Sequence, residues 1–149
     1  MEQTLFLGTH ASTLDGKSRI AAPAVFEEEL TGGAYILQGF ERNLLVLPVK
    51  AFDAMVRTLT ALNLADPLVR SLLRMLLGSA QEVSLDKSRR LALPGMLKDF
   101  AQLNESVVLV GQGDYFEVWQ PGLWEEQEIQ IRDANANPGR YSTLNLSTR

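Results

Sequence analysis

The sequence predicts a mixed α+β fold built from two similar halves, related by a pseudo-two-fold, sharing one β-core and flanked by helices. Three observations predict it. The stretch Leu14-Asp15-Gly16-Lys17-Ser18-Arg19-Ile20-Ala21-Ala22-Pro23 is written again as Leu85-Asp86-Lys87-Ser88-Arg89-Arg90-Leu91-Ala92-Leu93-Pro94, at a constant offset of 71 residues. Such self-similarity outranks any local signal, because missing it misassigns the whole fold. Each copy is also followed by a short helical stretch and then two near-continuous apolar runs, the pattern of buried strands. Finally, the chain has 149 residues, so each half is only about 70 residues long, a size at which a separate core is marginal. The halves are therefore expected to share a core and to need partner subunits. The division is 1–65, a first half; 66–78, a connecting helix; 79–134, a second half; and 135–149, a loose tail.

In chain order, Leu5-Phe6-Leu7 reads as a strand, Gly8 as a bulge or a close backbone approach, and Thr9 to Leu14 as its continuation. Asp15-Gly16 signals a turn, since Gly tolerates positive φ and Asp bonds its own following backbone. Arg19 to Ala22 is the returning strand. Pro23 suits the first turn of a helix over 24–30, closed by Thr31-Gly32-Gly33, with Glu27, Glu28 and Glu29 as its solvated face. The runs Ala34 to Gly39 and Leu44 to Leu47 form a β-hairpin. Pro48 opens a helix whose Phe52, Met55, Val56 and Leu59 make the i, i+3, i+4, i+7 stripe of a core-facing surface.

A second helix is announced by Asp66 as N-cap, Pro67 at its first position and Gly78 past its end. Its apolar residues are Leu68, Val69, Leu72, Leu73 and Leu76, with Arg70 and Arg74 opposite. The plan then repeats. Ala80 to Leu85 is a strand, Asp86 to Arg89 a turn, Arg90 to Leu93 the return, and Pro94-Gly95 precedes a helix through Leu103. Ser106 to Gly111 and Phe116 to Trp119 repeat the hairpin at an offset of 72, a one-residue slip that loops tolerate cheaply. Pro121 starts a last helix containing Trp124 and Ile131. From Asn135 the composition turns polar and the chain reads as a tail.

Composition narrows the function. With 46% hydrophobic and 21% charged residues the chain is globular in type. It has no cysteine, which excludes disulfides, thiolate metal sites and Cys nucleophiles. No apolar run approaches the ~20 residues of a spanning helix, and Met1 to Thr4 lacks the basic start of a signal peptide, so a cytoplasmic protein is expected. The net charge of −4 has the wrong overall sign for a chain that coats nucleic acid. It is unevenly spread, however: between Asp66 and Lys98 six cations face three acids. A polyanion would have to meet a local basic face.

The two Asp-x-x-x-Arg turns, each followed by an aliphatic run and Pro, together with the helices between the halves and the segment Gly111-Gln112-Gly113-Asp114-Tyr115-Phe116-Glu117-Val118-Trp119, resemble the MraZ family. Each half of that family is related to the AbrB/SpoVT swapped-hairpin fold. The resemblance spans roughly Leu5 to Ile131. It implies a nucleoid-associated bacterial transcriptional regulator of the division and cell-wall gene cluster. Such a protein binds repeated boxes of double-stranded DNA upstream of its own operon and assembles as a homo-oligomeric ring. Asp15, Arg19, Asp86 and Arg90 match the motif positions and Lys17 a basic position common in the first motif, which implies DNA binding for them. The family often carries Gly immediately before the motif Arg, where this chain has Ser18 and Arg89. Ser18 costs little unless φ > 0 is required; Arg89 adds a phosphate contact or changes the turn.

On this reading Asp15 and Asp86 fix their turns while Arg19 and Arg90 reach outward, since the planar guanidinium matches phosphate or the O6/N7 edge of guanine. Lys17, Lys87 and Arg89 are placed for phosphate contacts. Other readings are an ordinary surface ion pair at each turn and an Asp15/Asp86 acid–base or metal pair. A further one is an assembly or antitoxin-like module without DNA readout. His10, the single histidine, reads as structural; Trp119 and Trp124 read as core or subunit packing; Arg70/Arg74 as a solvated face. No stretch completes a nucleotide-binding glycine motif. No catalytic group, metal or cofactor is expected, and the chain is not read as an enzyme.

Overall fold

The computed structural model describes residues 5–147; the reading of Met1 to Thr4, and the last two residues of the tail, lie outside them. The elements are β1 (Thr9–Thr13), β2 (Arg19–Ala21), α1 (Ala24–Leu30), β3 (Ala34–Gln38), β4 (Leu44–Pro48), α2 (Val49–Thr60), α3 (Pro67–Leu76), β5 (Gln81–Val83), β6 (Arg90–Ala92), α4 (Gly95–Phe100), β7 (Ser106–Gly111), β8 (Phe116–Trp119), α5 (Pro121–Ile131) and α6 (Asn137–Arg140). The mixed α+β class and the repeated plan are as expected.

Six strands form one antiparallel sheet in the order β1-β7-β8-β4-β3-β5. By half of origin that order reads first, second, second, first, first, second, which is unchanged when read backwards with the two halves exchanged, as a pseudo-two-fold through the β8–β4 pair requires. The first strand of each half therefore lies against the hairpin of the other: β1 runs along β7 from Thr9↔Val110 to Thr13↔Ser106, and β5 along β3. Above this sheet β2 and β6 pair across the pseudo-axis, with Ile20 opposite Leu91, its own counterpart in the repeat. Neither half has a sheet of its own.

The main core fills the space between the two sheets. Ile20, Leu91, Phe26, Leu97, Ile36, Val46, Leu109, Phe116 and Val118 are all buried there. The short helices contribute through i, i+4 spacing, as in Phe26 and Leu30 of α1. Phe26 packs edge-on to Phe6 at 4.9 Å and tilted on Phe116 at 4.9 Å. A second cluster covers the other face of β3 and β4, where Tyr35, Leu37, Leu45 and Leu47 meet Phe52, Met55 and Leu59 of α2 and Leu72, Leu73 and Leu76 of α3. Helix α5 covers β7 in the equivalent place, with Trp119 and Trp124 rings tilted at 5.7 Å.

Two glycines, Gly39 and Gly111, stand at matching ends of β3 and β7. A Cβ at Gly111 would collide with the backbone of Phe6, and one at Gly39 with the side chain of buried Asn43, so both hairpins need glycine for close approach.

Several local expectations are corrected. Leu5 to Leu7 is not a regular strand: Phe6 makes one isolated bridge to Gly113, and Gly8 at φ 86° breaks the run before β1. Leu68 is 76% exposed instead of joining the α3 stripe, because it lies on the first turn before the helix reaches the sheet. Helix α4 ends at Phe100, where Gln102 takes φ 57° and the amide of Leu103 caps the carbonyl of Lys98 at 3.0 Å. Within the stretch read as a tail, α6 adds one helical turn, tied to α5 by the Arg140 guanidinium donating to the Gln130 carbonyl at 3.0 Å.

Candidate nucleic-acid interface

The two turns have one geometry. Asp15 Oδ1 accepts from the amides of Lys17 at 2.9 Å and Arg19 at 3.0 Å. Asp86 Oδ1 accepts from the amides of Ser88 at 2.8 Å and Arg90 at 3.0 Å. Backbone bonds close each loop, Asp15 to Arg19 at 3.1 Å and Asp86 to Arg90 at 3.0 Å. A carboxylate that accepts two amides while leaving its second oxygen free explains why Asp occupies this place. Partial desolvation pushes the Asp15 carboxyl up, but the amides of Arg19 and Lys17 and the Arg19 guanidinium outweigh it and hold it below its ordinary 3.8. Asp86 is held down first by the Arg90 amide, against some desolvation, with further help from Ser88 and Arg19.

Ser18 and Arg89 settle the question their identities raised. Both adopt positive φ, 57° and 62°, so the turn requires the left-handed region at the position where resembling proteins often have Gly. Arg89 leaves the turn unchanged. The conformation has a purpose across the pseudo-axis: the Ser18 carbonyl accepts from the amide of Leu93 at 2.9 Å, and the Arg89 carbonyl from the amide of Ala22 at 3.1 Å. Each turn is thus anchored to the strand end of the opposite half, and the two turns flank the three-residue β2–β6 ladder, one at each end, close enough for Arg19 to reach Asp86.

The motif arginines do not both reach outward. Arg19 bends back over both turns, donating from Nε to Asp15 Oδ2 at 2.8 Å and from Nη1 to Asp86 Oδ2 at 3.0 Å, with Nη2 2.7 Å from Asp15 Oδ2. Arg90 is looser, with Nη1 3.9 Å from Asp15 Oδ2. Two carboxylates and two guanidinium groups converge, their charges cancelling as a group. The physical reason is the swap: it brings the turns close, so Arg19 finds carboxylates from both halves and Arg90 that of the opposite half.

Around this quartet Lys17, Lys87 and Arg89 are exposed. Two side chains that sequence reasoning did not place here join them. Lys98 of α4 donates from Nζ to Ser18 Oγ at 2.9 Å, and Glu27 of α1 lies 3.5 Å from Arg89 Nε. Glu27 is thus partly turned toward the second turn instead of standing on a solvated face. The repeat offset itself carried the signal, since Glu27 and Lys98 are 71 residues apart and each lies next to the opposite half's turn.

The remaining residues fit structural roles. His10 Nε2 lies 2.9 Å from the Leu7 carbonyl and its ring packs edge-on to Phe26 at 4.9 Å. Trp119 is buried and donates to Glu117 Oε1 at 2.9 Å. Among the described residues no three His, Cys, Asp or Glu side chains are grouped to hold a metal ion. With both carboxyls depressed and engaged by amides and arginine, the Asp15/Asp86 pair has no member suited to donate a proton near neutral pH. No helix among the described residues is long and apolar enough to cross a membrane.

The chain matches a family model described as "MraZ protein, putative antitoxin-like" twice, over residues 5–75 and 76–143. It is similar to the transcriptional regulator MraZ of Roseiflexus castenholzii, 35% identical over 133 residues that span 89% of this chain and 92% of the relative. The corresponding protein of Desulfitobacterium hafniense is 34% identical over 142 residues, 95% of this chain and 99% of the relative. That of Cutibacterium acnes is 37% identical over 133 residues, 89% and 94% of the two chains.

Proposed function

Since the chain belongs to the MraZ family, we propose that it is a sequence-specific DNA-binding transcriptional regulator, not an enzyme. It acts from the cytoplasm on the nucleoid, as a homo-oligomeric ring, at repeated boxes upstream of its own operon in the division and cell-wall gene cluster. The observation that carries the reading is the paired turn: two copies of one loop, braced by Asp15 and Asp86, with exposed Lys17, Lys87 and Arg89 around Arg19 and Arg90. The lysines and Arg89 meet phosphates and set register, while Arg19 and Arg90 read base edges. To do so the arginines exchange their cross-turn carboxylates for the duplex. Surface ion pairs are weak enough for such an exchange. Large apolar side chains left exposed on the α2–α3 link, the first turn of α3 and α5, namely Leu64, Leu68 and Ile129, support subunit contacts for the ring.

The test is an electrophoretic shift assay with the DNA upstream of the gene. Binding is expected to be sequence-selective and to fall with salt, with a slope that drops by about 0.9 for each phosphate contact removed. Arg90→Ala, which leaves Arg19 bridging both aspartates, and Lys17→Ala are expected to weaken it. Unchanged binding by Arg19→Ala and Arg90→Ala together would reject the assignment. The neutralised arginines and the antitoxin-like family description favour one second reading, an interaction module on the same fold without DNA readout. Assembled protein that shifts no DNA would select it.

A further inference from the structure

The repeat makes the two turns equivalent in backbone, so differences between them are differences of side chain at matched positions. Four such residues matter: Ser18 matches Arg89, and Lys98 matches Glu27, both at an offset of 71. The swap places α4 beside the first turn and α1 beside the second. The result is two unlike pairs in one geometry. At the first turn Lys98 Nζ rests on the neutral hydroxyl of Ser18 at 2.9 Å. At the second, Glu27 lies 3.5 Å from the Arg89 guanidinium. The quartet of Asp15, Arg19, Asp86 and Arg90 carries two charges of each sign and so does not distinguish the turns by net charge, although Arg19 is held more closely than Arg90. Each turn also carries one exposed lysine, Lys17 at the position of Ser88 and Lys87 at the position of Gly16, so these cations balance in number though not in place. What remains is an unneutralised cation at the first turn and a neutralised one at the second.

Resting on the DNA-binding reading above, we infer that the two turns grip DNA unequally. The first, with Lys17 and Lys98, is the main phosphate-binding turn. The second is held in check by Glu27, which neutralises Arg89 and repels the backbone that Arg89 would meet. The extra cation that Arg89 brings is therefore largely offset within the protein. Glu27 acts as a built-in limit on sequence-independent affinity. It weakens the phosphate contact that Arg89 makes and so leaves a larger share of the binding to base readout. Lys98 becomes a DNA-contacting residue outside the motif.

Fluorescence anisotropy on the full chain tests this, with the gene's upstream duplex and a random-sequence duplex of equal length, across a series of NaCl concentrations. Glu27→Gln is expected to tighten binding to both duplexes several-fold and to steepen the salt dependence by about 0.9 for each second turn engaged. Lys98→Gln is expected to do the reverse. The gain from Glu27→Gln should vanish when Arg89→Gln is also present, because the residue it released is gone. Glu126→Gln on α5 changes the net charge equally and is expected to leave affinity as it was. The Glu→Gln substitutions keep side-chain size, Lys98→Gln and Arg89→Gln shorten exposed or half-buried chains, and melting temperatures check that the fold is kept. The inference is overturned if Glu27→Gln matches the unsubstituted protein, if its gain persists in full with Arg89→Gln, or if Lys98→Gln weakens nothing. Binding of neither duplex by the unsubstituted chain overturns the DNA reading itself, a result distinct from normal binding that ignores Glu27 and Lys98.

Discussion

Ser18 and Arg89 carry the backbone strain of the interface. An L side chain in the left-handed region costs about 1 kcal/mol relative to glycine, and both residues accept that cost so that their carbonyls reach the opposite half. Ser18→Gly is therefore expected to stabilise the protein by somewhat less than about 1 kcal/mol, because it also removes the Lys98 hydrogen bond, read as a higher midpoint in urea unfolding. Arg89→Gly is expected to gain less, since it also gives up the contact with Glu27. The sequence showed that these two positions depart from an expected glycine, but it could not show the dihedral angle. Nor could it show where Arg19 points. Its preference for two carboxylates over solvent depends on Asp86, 67 residues away in sequence, arriving within hydrogen-bond reach. Lys98 and Glu27 were hidden for the same reason, although the repeat arithmetic would have paired them with the turns had the swap been assumed.

At the scale of elements, the turn, return strand and short helix were legible because each has a local cause: Asp at the turn, alternating burial at Ile20 and Leu91, and Pro before α1 and α4. The N-cap of α3 was read correctly, with Asp66 Oδ1 accepting from the Leu68 amide at 2.9 Å. What local pattern could not give was the pairing of β1, since its alternation of exposed and half-buried residues suits any antiparallel neighbour. The turns also tie element stability to pH. Both aspartates have folded-state values below the ordinary 3.8, so their contribution is present above that value and is lost as pH falls through the lower folded values. Acid should thus loosen the turns only below about pH 3.8. Asp15→Asn with Asp86→Asn keeps an amide-accepting oxygen but removes the charge. Melting temperature measured against pH is expected to fall less steeply in that variant below the same point.

For the whole molecule, the strand-exchanged sheet and the acidic total set how the proposed DNA binding would work. One subunit presents a single pair of turns whose central charges cancel, against a net charge of −4. High affinity then has to come from many weak sites on one assembly, where effective concentration multiplies binding by about 10²–10⁴. Leu64→Glu with Leu68→Glu is expected to yield monomers in light scattering. These should bind a duplex with several boxes about 10²-fold more weakly while holding a single box almost as before. A monomer equal to the assembly on both would refute the link between ring and affinity. The crossed strands have another consequence, felt before the protein ever meets DNA. Thr9 pairs with Val110, so β1 has no partner until about a hundred residues later in synthesis. Until β7 leaves the ribosome, the first half waits with its leading strand unpaired beside a finished hairpin, and two nascent chains held close together could exchange these strands. Closure of the sheet is a late, long-range event, and the chain is made safe from its neighbours only when its second half arrives.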